Sequence, residues 1–212
     1  MSLPMLSIQQ LNVWYGSAQA LFDVSIQVAP GELVVLQGLN GAGKSTLLQA
    51  IMGLGPRVTG VINYENKNIQ GWQPHQRAQA GLGYVAEDRR LFTGLSVQTN
   101  LRLAARGDVD ANQASVLRLF PVLQTMLRRR AGQMSGGEQQ MLALARTLMT
   151  SPRMLLLDEP CEGIAPVLVE NIVAALLTLK AQGMSMLVAE QNNILTECAD
   201  RVFTLVAGQL TT

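Results

Sequence analysis

The chain has 212 residues, of which 48% are hydrophobic and 15% are charged, and its formal net charge is +1. This length suits one domain with a substantial core, and so small a charge gives no bulk electrostatic reason to expect a nucleic-acid partner. Two cysteines set far apart argue against a disulfide scaffold and favour a reducing compartment. No uncharged apolar run reaches the length that spans a bilayer, so we expect a soluble chain that meets any membrane through a partner.

The first third of the chain is rich in strand-like segments. Apolar and polar side chains alternate in places over residues 5–28, which is the pattern of half-buried strands. Residues 61–67 predict a hairpin that returns to the same small antiparallel sheet. Between these segments, the apolar run at residues 32–37 predicts a buried strand. The N-terminal part is therefore predicted to carry an antiparallel β sub-domain.

The glycine-rich segment at residues 38–46 lies between this buried strand and a helix-like run. Strand, glycine-rich turn and helix in this order are the setting in which the pattern G-x-x-x-x-G-K-[ST] binds phosphate. Backbone N–H groups of such a turn converge at the positive end of a helix dipole. Lys44 can then reach the β- and γ-phosphates, and Ser45 can offer its hydroxyl to Mg²⁺. The residues of this predicted nucleotide phosphate loop are Gly38, Asn40, Gly41, Ala42, Gly43, Lys44, Ser45 and Thr46.

The sequence pattern changes from about residue 96 to residue 130, and this change predicts an inserted helical sub-domain. Ser96 is a plausible N-cap for an apolar repeat at helical spacing, and two further short helices are suggested at residues 116–120 and 122–127. The predicted fold class is α/β: a P-loop NTPase core with a mainly parallel sheet, the N-terminal antiparallel β sub-domain and the helical insertion. The predicted units of this single domain (1–212) are a nucleotide-binding core at 1–86 and 140–212 and a helical sub-domain at 87–139.

Two adjacent carboxylates, Asp158 and Glu159, follow the apolar run at residues 154–157. A buried parallel strand would deliver both carboxylates to its carboxyl end. Asp158 suits a magnesium shell, and Glu159 suits a base that acts on a water molecule. Glu159 could instead cap a helix or be solvated, but its place directly after the strand and Asp158 favours catalysis.

Two weaker candidates lie elsewhere in the chain. Ser135 precedes two glycines at the start of a predicted helix, where its hydroxyl and the free N–H groups could bind an anion. Tyr15, ahead of the phosphate loop, could stack on a base. Trp14 beside it could do the same, or both rings could belong to the core.

Together these motifs resemble the ATP-binding subunit of ABC transporters, and the stretch Ser-Gly-Gly-Glu-Gln-Gln at residues 135–140 makes the resemblance specific. The resemblance covers essentially the whole chain. It implies ATP and Mg²⁺ as cofactors, integral membrane subunits as partners, and a peripheral position on the cytoplasmic face of the cell membrane. It also implies a head-to-tail dimer with an identical or related ATP-binding subunit. In that dimer the signature residues of one copy close over ATP held by Lys44 of the other; these are Ser135, Gly136, Gly137 and Glu138.

The chain departs from the common pattern of this family at three places. Glu87 stands where most members carry a glutamine, Gln191 stands where most carry a histidine, and the segment after Cys161 also differs. These departures resemble one of the paired ATP-binding subunits of branched-chain amino acid importers and of their urea or amide relatives. The resemblance implies that Glu87 joins Ser45 and Asp158 at the metal, and that Gln191 joins Lys44 and Glu159 in catalysis. Glutamine keeps a donor and an acceptor but cannot change its charge near neutral pH.

The resemblance therefore predicts an ATP-hydrolysing subunit that powers the uptake of a small solute. Its rivals are a non-transport ABC protein of repair or translation, and a nucleotide-gated interaction module that hardly hydrolyses ATP. The intact phosphate loop and carboxylate pair argue against the module, whereas Glu87 and Gln191 keep this alternative open. By family analogy, an apolar cluster could receive a helix of the membrane subunit, or it could be core; its residues are Leu82, Leu91, Phe92 and Leu95.

Overall fold

The computed structural model describes residues 3–211. Its strands, in chain order, are β1 (Leu6–Tyr15), β2 (Ala18–Val28), β3 (Leu33–Gln37), β4 (Arg57–Tyr64), β5 (Lys67–Asn68), β6 (Leu82–Val85), β7 (Met154–Asp158), β8 (Ser185–Glu190), β9 (Arg201–Val206) and β10 (Gln209–Thr211). Its helices are α1 (Lys44–Met52), α2 (Pro74–Gln79), α3 (Val97–Ala104), α4 (Val109–Leu119), α5 (Pro121–Gln124), α6 (Gly136–Leu148) and α7 (Pro166–Ala181), with short 3₁₀ helices at Ala131–Gln133 and Thr196–Cys198.

The strands form two sheets. The smaller sheet has the order β2-β1-β4-β5 and is antiparallel, as the alternating pattern near the N-terminus predicts. The larger sheet has the order β10-β9-β3-β8-β7-β6, and its pairs are parallel except for the hairpin of β9 and β10. The predicted α/β class with a mainly parallel sheet and an N-terminal antiparallel sheet is confirmed.

The central strands of the larger sheet are buried on both faces because they carry apolar side chains at nearly every position. In β7, Leu155 and Leu157 pack with α6 and α7 on one face, whereas Leu156 packs with α1 and the smaller sheet on the other. Parallel sheets are characteristically covered in this way. With both faces covered, the edge at the carboxyl ends of the strands is where such a sheet binds a ligand.

The helices α3, α4 and α5 lie in sequence between β6 and α6, where the helical insertion is predicted. The helix predicted at residues 122–127 was too long, because α5 ends at Gln124. The chain then forms turns over residues 125–128. The carbonyl oxygen of Arg129 accepts a hydrogen bond of 2.9 Å from the amide of Val97 at the start of α3. This long-range pairing overrides the local helical repeat, as tertiary contacts commonly do with weak local propensities.

The buried Arg77 side chain joins α2 to the C-terminal end of α1 and is only 3% exposed. Its guanidinium donates hydrogen bonds to the carbonyl oxygens of Ala50 and Ile51, and also to those of Gln70 and Trp72. The last carbonyls of a helix lack partners within it, and a cation there complements the helix dipole. Arg77 therefore stabilises the helix that begins at the phosphate loop.

We expect Arg77→Met to lower the free energy of unfolding by about 2–4 kcal/mol, because four carbonyl oxygens lose a buried charged donor. Urea denaturation followed by circular dichroism measures this change. Arg128→Met alters an exposed arginine and is the matched control, expected to stay within about 0.5 kcal/mol of the wild type. Equal losses in the two variants would show that the Arg77 network contributes nothing of its own.

Candidate active site

The phosphate-loop segment connects β3 to α1, which begins at Lys44. A Cβ on Gly38 would lie 2.5 Å from the carbonyl oxygen of Leu205, and a Cβ on Gly43 would lie 2.6 Å from Cδ2 of Leu21. Gly43 also has a φ of 107°, which side-chain-bearing residues rarely adopt. The loop therefore needs glycine at both positions in order to curl this tightly.

A cleft of about 550 Å³ opens over the loop and α1. It brings together predicted residues that are far apart in the sequence, since Glu87 and Glu159 border it beside the loop. The remaining predicted residues in its lining are Asn40, Gly41, Gly43, Lys44, Ser45 and Thr46. The cleft is the candidate site for the nucleotide phosphates.

The Lys44 ammonium group is buried at the centre of the loop, with only 3% of the residue exposed. Its Nζ donates hydrogen bonds to the carbonyl oxygens of Gly38 and Leu39, at 2.8 and 3.2 Å. It also forms an ion pair of 2.9 Å with Oε1 of Glu159. Lys44 thus links the phosphate loop to the end of β7 and places a cation where phosphates would bind.

The Asp158 carboxylate is held by two hydroxyl groups. Ser45 Oγ donates a hydrogen bond of 2.8 Å to its Oδ1, and the hydroxyl of Tyr84 donates one of 3.2 Å to its Oδ2. Burial raises the pKa of Asp158, and these two hydrogen bonds act against the rise. Burial and the charge of Asp158 in turn raise the pKa of Tyr84, so that the phenol remains a donor.

The three predicted metal ligands, Ser45, Asp158 and Glu87, border one cleft of about 310 Å³. Hydroxyl and carboxylate oxygens suit Mg²⁺, which is usually bound by one or two protein ligands together with phosphate oxygens and waters. Within residues 3–211, no cluster of three His, Cys, Asp or Glu side chains could hold a metal ion by itself. The donor set therefore fits a magnesium ion that is held jointly with nucleotide phosphates.

Glu159 directly follows β7 and has an unusual backbone, with a φ of 49°. Burial acts to raise the pKa of its carboxyl, but hydrogen bonds from Glu162 and Lys44 together with the Lys44 charge outweigh this effect and lower the pKa. Glu159 is therefore ionised near neutral pH and able to accept a proton. The same hydrogen bond raises the pKa of the exposed Glu162 to about 7.

Gln191 is exposed directly after β8 and borders a separate cleft of about 400 Å³. That cleft is lined by the other side of the phosphate loop, including Gly38, Asn40 and Ala42. The structure thus brings the predicted Gln191 to the loop, although the sequence separates them by some 150 residues.

Tyr15 is 48% exposed at the end of β1, beside the first turns of α1. Its hydroxyl lies 3.2 Å from Oε1 of Gln49 and 3.5 Å from Oγ1 of Thr46. The neighbouring Trp14 is half-buried, and the guanidinium of Arg57 lies over its ring at 4.6 Å. Of the two adjacent rings, Tyr15 is the more exposed one, and its hydroxyl lies near the phosphate loop.

The predicted signature residues form the N-terminus of α6. Ser135 is its N-cap, and a capping box joins it to Glu138: the Ser135 amide donates to Oε2 of Glu138 at 2.7 Å. A Cβ on Gly137 would lie 2.4 Å from Cδ1 of Leu168, so glycine is needed against α7. Among the described residues, these four line none of the three clefts that border the phosphate loop: Ser135, Gly136, Gly137 and Glu138.

Three outcomes differ from, or add to, the expectations from sequence. Of the apolar cluster that was predicted to be either a docking patch or core, Leu82 belongs to the core beside Met154 and is 2% exposed, whereas Phe92 and Leu95 are exposed. Tyr84 was missed as a site residue because its contact with Asp158 depends on the pairing of β6 with β7. Glu162 was missed as a neighbour of Glu159 because a hydrogen bond between two carboxyl groups has no signature in sequence.

A phosphate loop at the carboxyl edge of a parallel sheet, beside a strand that ends in two carboxylates, is the arrangement of P-loop ATPases. Within that class, residues 21–162 match the family model described as ABC transporter. The chain belongs to the ABC transporter family and is one of its ATP-hydrolysing, ATP-binding subunits. Such subunits dimerise and work with membrane subunits. Among residues 3–211, the helices are all too short or too polar to cross a membrane.

Curated relatives agree with this assignment. The high-affinity branched-chain amino acid transport ATP-binding protein BraG of Pseudomonas aeruginosa is 41% identical over 211 residues, covering 97% of this chain and 91% of BraG. The probable branched-chain amino acid transport ATP-binding protein LivF of Archaeoglobus fulgidus is 34% identical, covering 97% and 90%. The lipopolysaccharide export system ATP-binding protein LptB of Escherichia coli is also 34% identical, covering 97% and 88%.

Solved structures show the same fold. An ATP-binding cassette of an ABC transporter in its ADP conformation superposes with a TM-score of 0.89 at 27% identity, covering all of this chain and 91% of that one. A dimeric cassette bound to ADP and phosphate superposes with a TM-score of 0.87 at 22% identity, covering 98% and 97%. The two sheets and the intervening helices are thus those of an ABC cassette.

Proposed function

We propose that this chain powers the import of a small solute, such as branched-chain amino acids, urea or amides, from the cytoplasmic face of the cell membrane. The observation that carries the proposal is the convergence of Lys44, Ser45 and Glu159 on one cleft in a chain that is 41% identical to BraG. Its partners would be integral membrane subunits and a second ATP-binding subunit, identical or related. Nothing in its net charge favours nucleic acid.

The mechanism follows from the positions of the side chains. The loop amides and the Lys44 ammonium would bind the β- and γ-phosphates, while Ser45, Asp158 and Glu87 would hold Mg²⁺. The metal neutralises phosphate charge when it is bound. Glu159 would orient the attacking water and accept its proton, which its lowered pKa allows.

The remaining predicted residues would complete the site around the γ-phosphate and the adenine ring of ATP. Gln191 would hydrogen-bond the γ-phosphate without changing its own charge, and Tyr15 would stack on the adenine. Ser135, Gly136 and Gly137 do not line the phosphate-loop clefts of their own chain, and we propose that they act on ATP held by the second subunit. The N-terminus of α6 supplies free N–H groups for such a contact.

Glu162 gives this site a specific pH dependence. Because its pKa is raised to about 7, the carboxyl is protonated below that pH and donates to Glu159, which weakens Glu159 as a base. Above it, the second negative charge makes Glu159 more basic, so we expect turnover at saturating ATP to rise about two- to fivefold between pH 6 and pH 8.

A pH–rate profile tests this expectation against Glu162→Gln, whose amide donates at every pH and should flatten the step near pH 7. The His75→Gln variant is the control for the chain's single histidine, which is exposed, and it should keep the step. A step that persists in Glu162→Gln would show that another group is responsible.

Uptake measurements test the proposed function. In cells that lack this chain, the uptake of labelled leucine, valine, urea and acetamide is measured with and without the restored wild-type gene. We expect restored uptake of at least one of these solutes with the wild type and none with Glu159→Gln. Identical uptake of all four solutes with and without the chain would contradict the proposed import function.

A further inference from the structure

Glu190 is the last residue of β8 and is completely buried, one position before Gln191. Its Oε1 accepts a hydrogen bond of 3.1 Å from the amide of Cys161. Its own carbonyl oxygen accepts one of 3.2 Å from the amide of Gly38, the first glycine of the phosphate loop. Its Oε2 is buried and has no hydrogen-bond partner among the described residues. Glu190 thus contacts both the phosphate loop and the segment that follows Glu159, and it directly precedes Gln191 in the chain.

The segment that Glu190 holds is a strained one. Glu159 has the left-handed φ of 49°, a conformation that costs a non-glycine residue on the order of 1 kcal/mol or more and persists only where its surroundings hold it. The Glu159 amide is held by the carbonyl oxygen of Ala189, at 2.9 Å. Pro160 has no N–H to donate. The next donor is the Cys161 amide, and it is bound by Glu190.

Within residues 3–211, no lysine or arginine forms an ion pair with the buried Glu190 carboxyl. Burial raises the pKa of Glu190, the hydrogen bond from the Cys161 amide acts against the rise, and the nearby Glu159 charge adds to it. Removing a carboxyl from water without a counter-charge is costly. The Glu190 carboxyl is therefore an unfavourable group in an apolar core. The structure gives it one role there, the hydrogen bond to the segment that follows Glu159.

We propose that Glu190 is a positioning residue for ATP hydrolysis. Its carboxyl fixes the backbone from Glu159 to Cys161 against β8 and so holds Glu159 in place relative to Gln191 and Gly38. The inference rests on the proposed hydrolytic role of Glu159. Small displacements of a reacting group can cost a large factor in rate, because catalysis depends on a near-attack geometry. Loss of the Glu190 acceptor should therefore reduce kcat more than ATP binding.

Three variants of the full chain test the proposal. Glu190→Met removes the acceptor at similar volume, and we expect kcat to fall at least about tenfold while the ATP dissociation constant stays within about threefold. Glu190→Gln keeps an acceptor at the same position and should retain at least about half of kcat. Cys161→Ala removes the thiol but leaves the amide, and it should resemble the wild type. If Glu190→Met does not fold, Glu190→Asp, whose carboxyl is withdrawn by one methylene, carries the same expectation.

Hydrogen–deuterium exchange gives a readout that does not depend on turnover. The peptide that contains Cys161 should exchange faster in Glu190→Met than in Glu190→Gln or the wild type. Equal kcat and equal exchange in Glu190→Met and the wild type would overturn the proposal. A uniform loss of thermal stability in all Glu190 variants, with kcat unchanged in the folded fraction, would also overturn it. A wild type that binds ATP without hydrolysing it would instead refute the proposed function, and exchange alone would then decide the role of Glu190.

Discussion

Replacing Glu159 by glutamine is expected to reduce ATP turnover by about 10²- to 10⁴-fold, the range that a general base contributes. Glutamine has nearly the same shape but cannot accept the proton of the attacking water. The Lys44 ion pair is lost as well, yet the loop carbonyls of Gly38 and Leu39 still hold the ammonium group in place. ATP binding should therefore survive while hydrolysis does not.

Two measurements on the purified variant check this result. Turnover is measured by phosphate release, and ATP binding by calorimetry under the same conditions. Glu170→Gln, an exposed glutamate on α7, is the matched control and should turn over ATP like the wild type. A Glu159→Gln variant that hydrolyses ATP at an undiminished rate would show that another group is the base.

The substitution Lys44→Ala is expected to weaken ATP binding, the step that precedes hydrolysis. Hydrogen bonds from a charged donor contribute about 1.5–3 kcal/mol, so losing the ammonium contact to the phosphates should weaken ATP binding about 10- to 150-fold. A further effect falls on Glu159, whose lowered pKa depends in part on the Lys44 charge. The carboxyl of Glu159 should become easier to protonate in this variant.

Calorimetric titration with ATP and Mg²⁺ measures the loss of affinity. Lys67→Ala changes an exposed lysine of β5 and serves as the control, with an expected dissociation constant equal to that of the wild type. If Lys44→Ala bound ATP as tightly as Lys67→Ala, the cleft over the phosphate loop would not be the nucleotide site.

The sequence was most informative where function depends on neighbouring residues. The phosphate loop is predictable because its glycines, Lys44 and Ser45 lie within nine consecutive positions between a strand and a helix. Asp158 and Glu159 are predictable for a related reason, since the apolar run before them indicates a buried strand. Both parts could be assigned to the carboxyl edge of a sheet before any strand order was known.

Sequence was least informative where contacts depend on strand order and on burial. Tyr84 reaches Asp158 because β6 pairs with β7, which no local pattern around Tyr84 reveals. Glu190 is an ionisable residue at the end of an apolar strand. Such a residue is usually expected to be exposed, yet Glu190 is completely buried. The roles of Glu87, Gln191 and the signature residues rest on the family resemblance and on their placement, and remain predictions.

The central claim is that ATP held by Lys44 of one chain is closed over by Ser135 of another, and sedimentation of the Glu159→Gln variant tests it most directly. With ATP and Mg²⁺ we expect a particle of twice the 22.9 kDa chain mass, and with ADP a single chain. Adding Ser135→Asp keeps an N-cap on α6 but sets a negative charge against the phosphates, so this double variant should bind ATP and stay monomeric. Equal ATP-dependent dimerisation of Glu159→Gln and of the double variant would contradict the claim. If Glu159→Gln stayed monomeric at saturating ATP, the chain would not pair with itself.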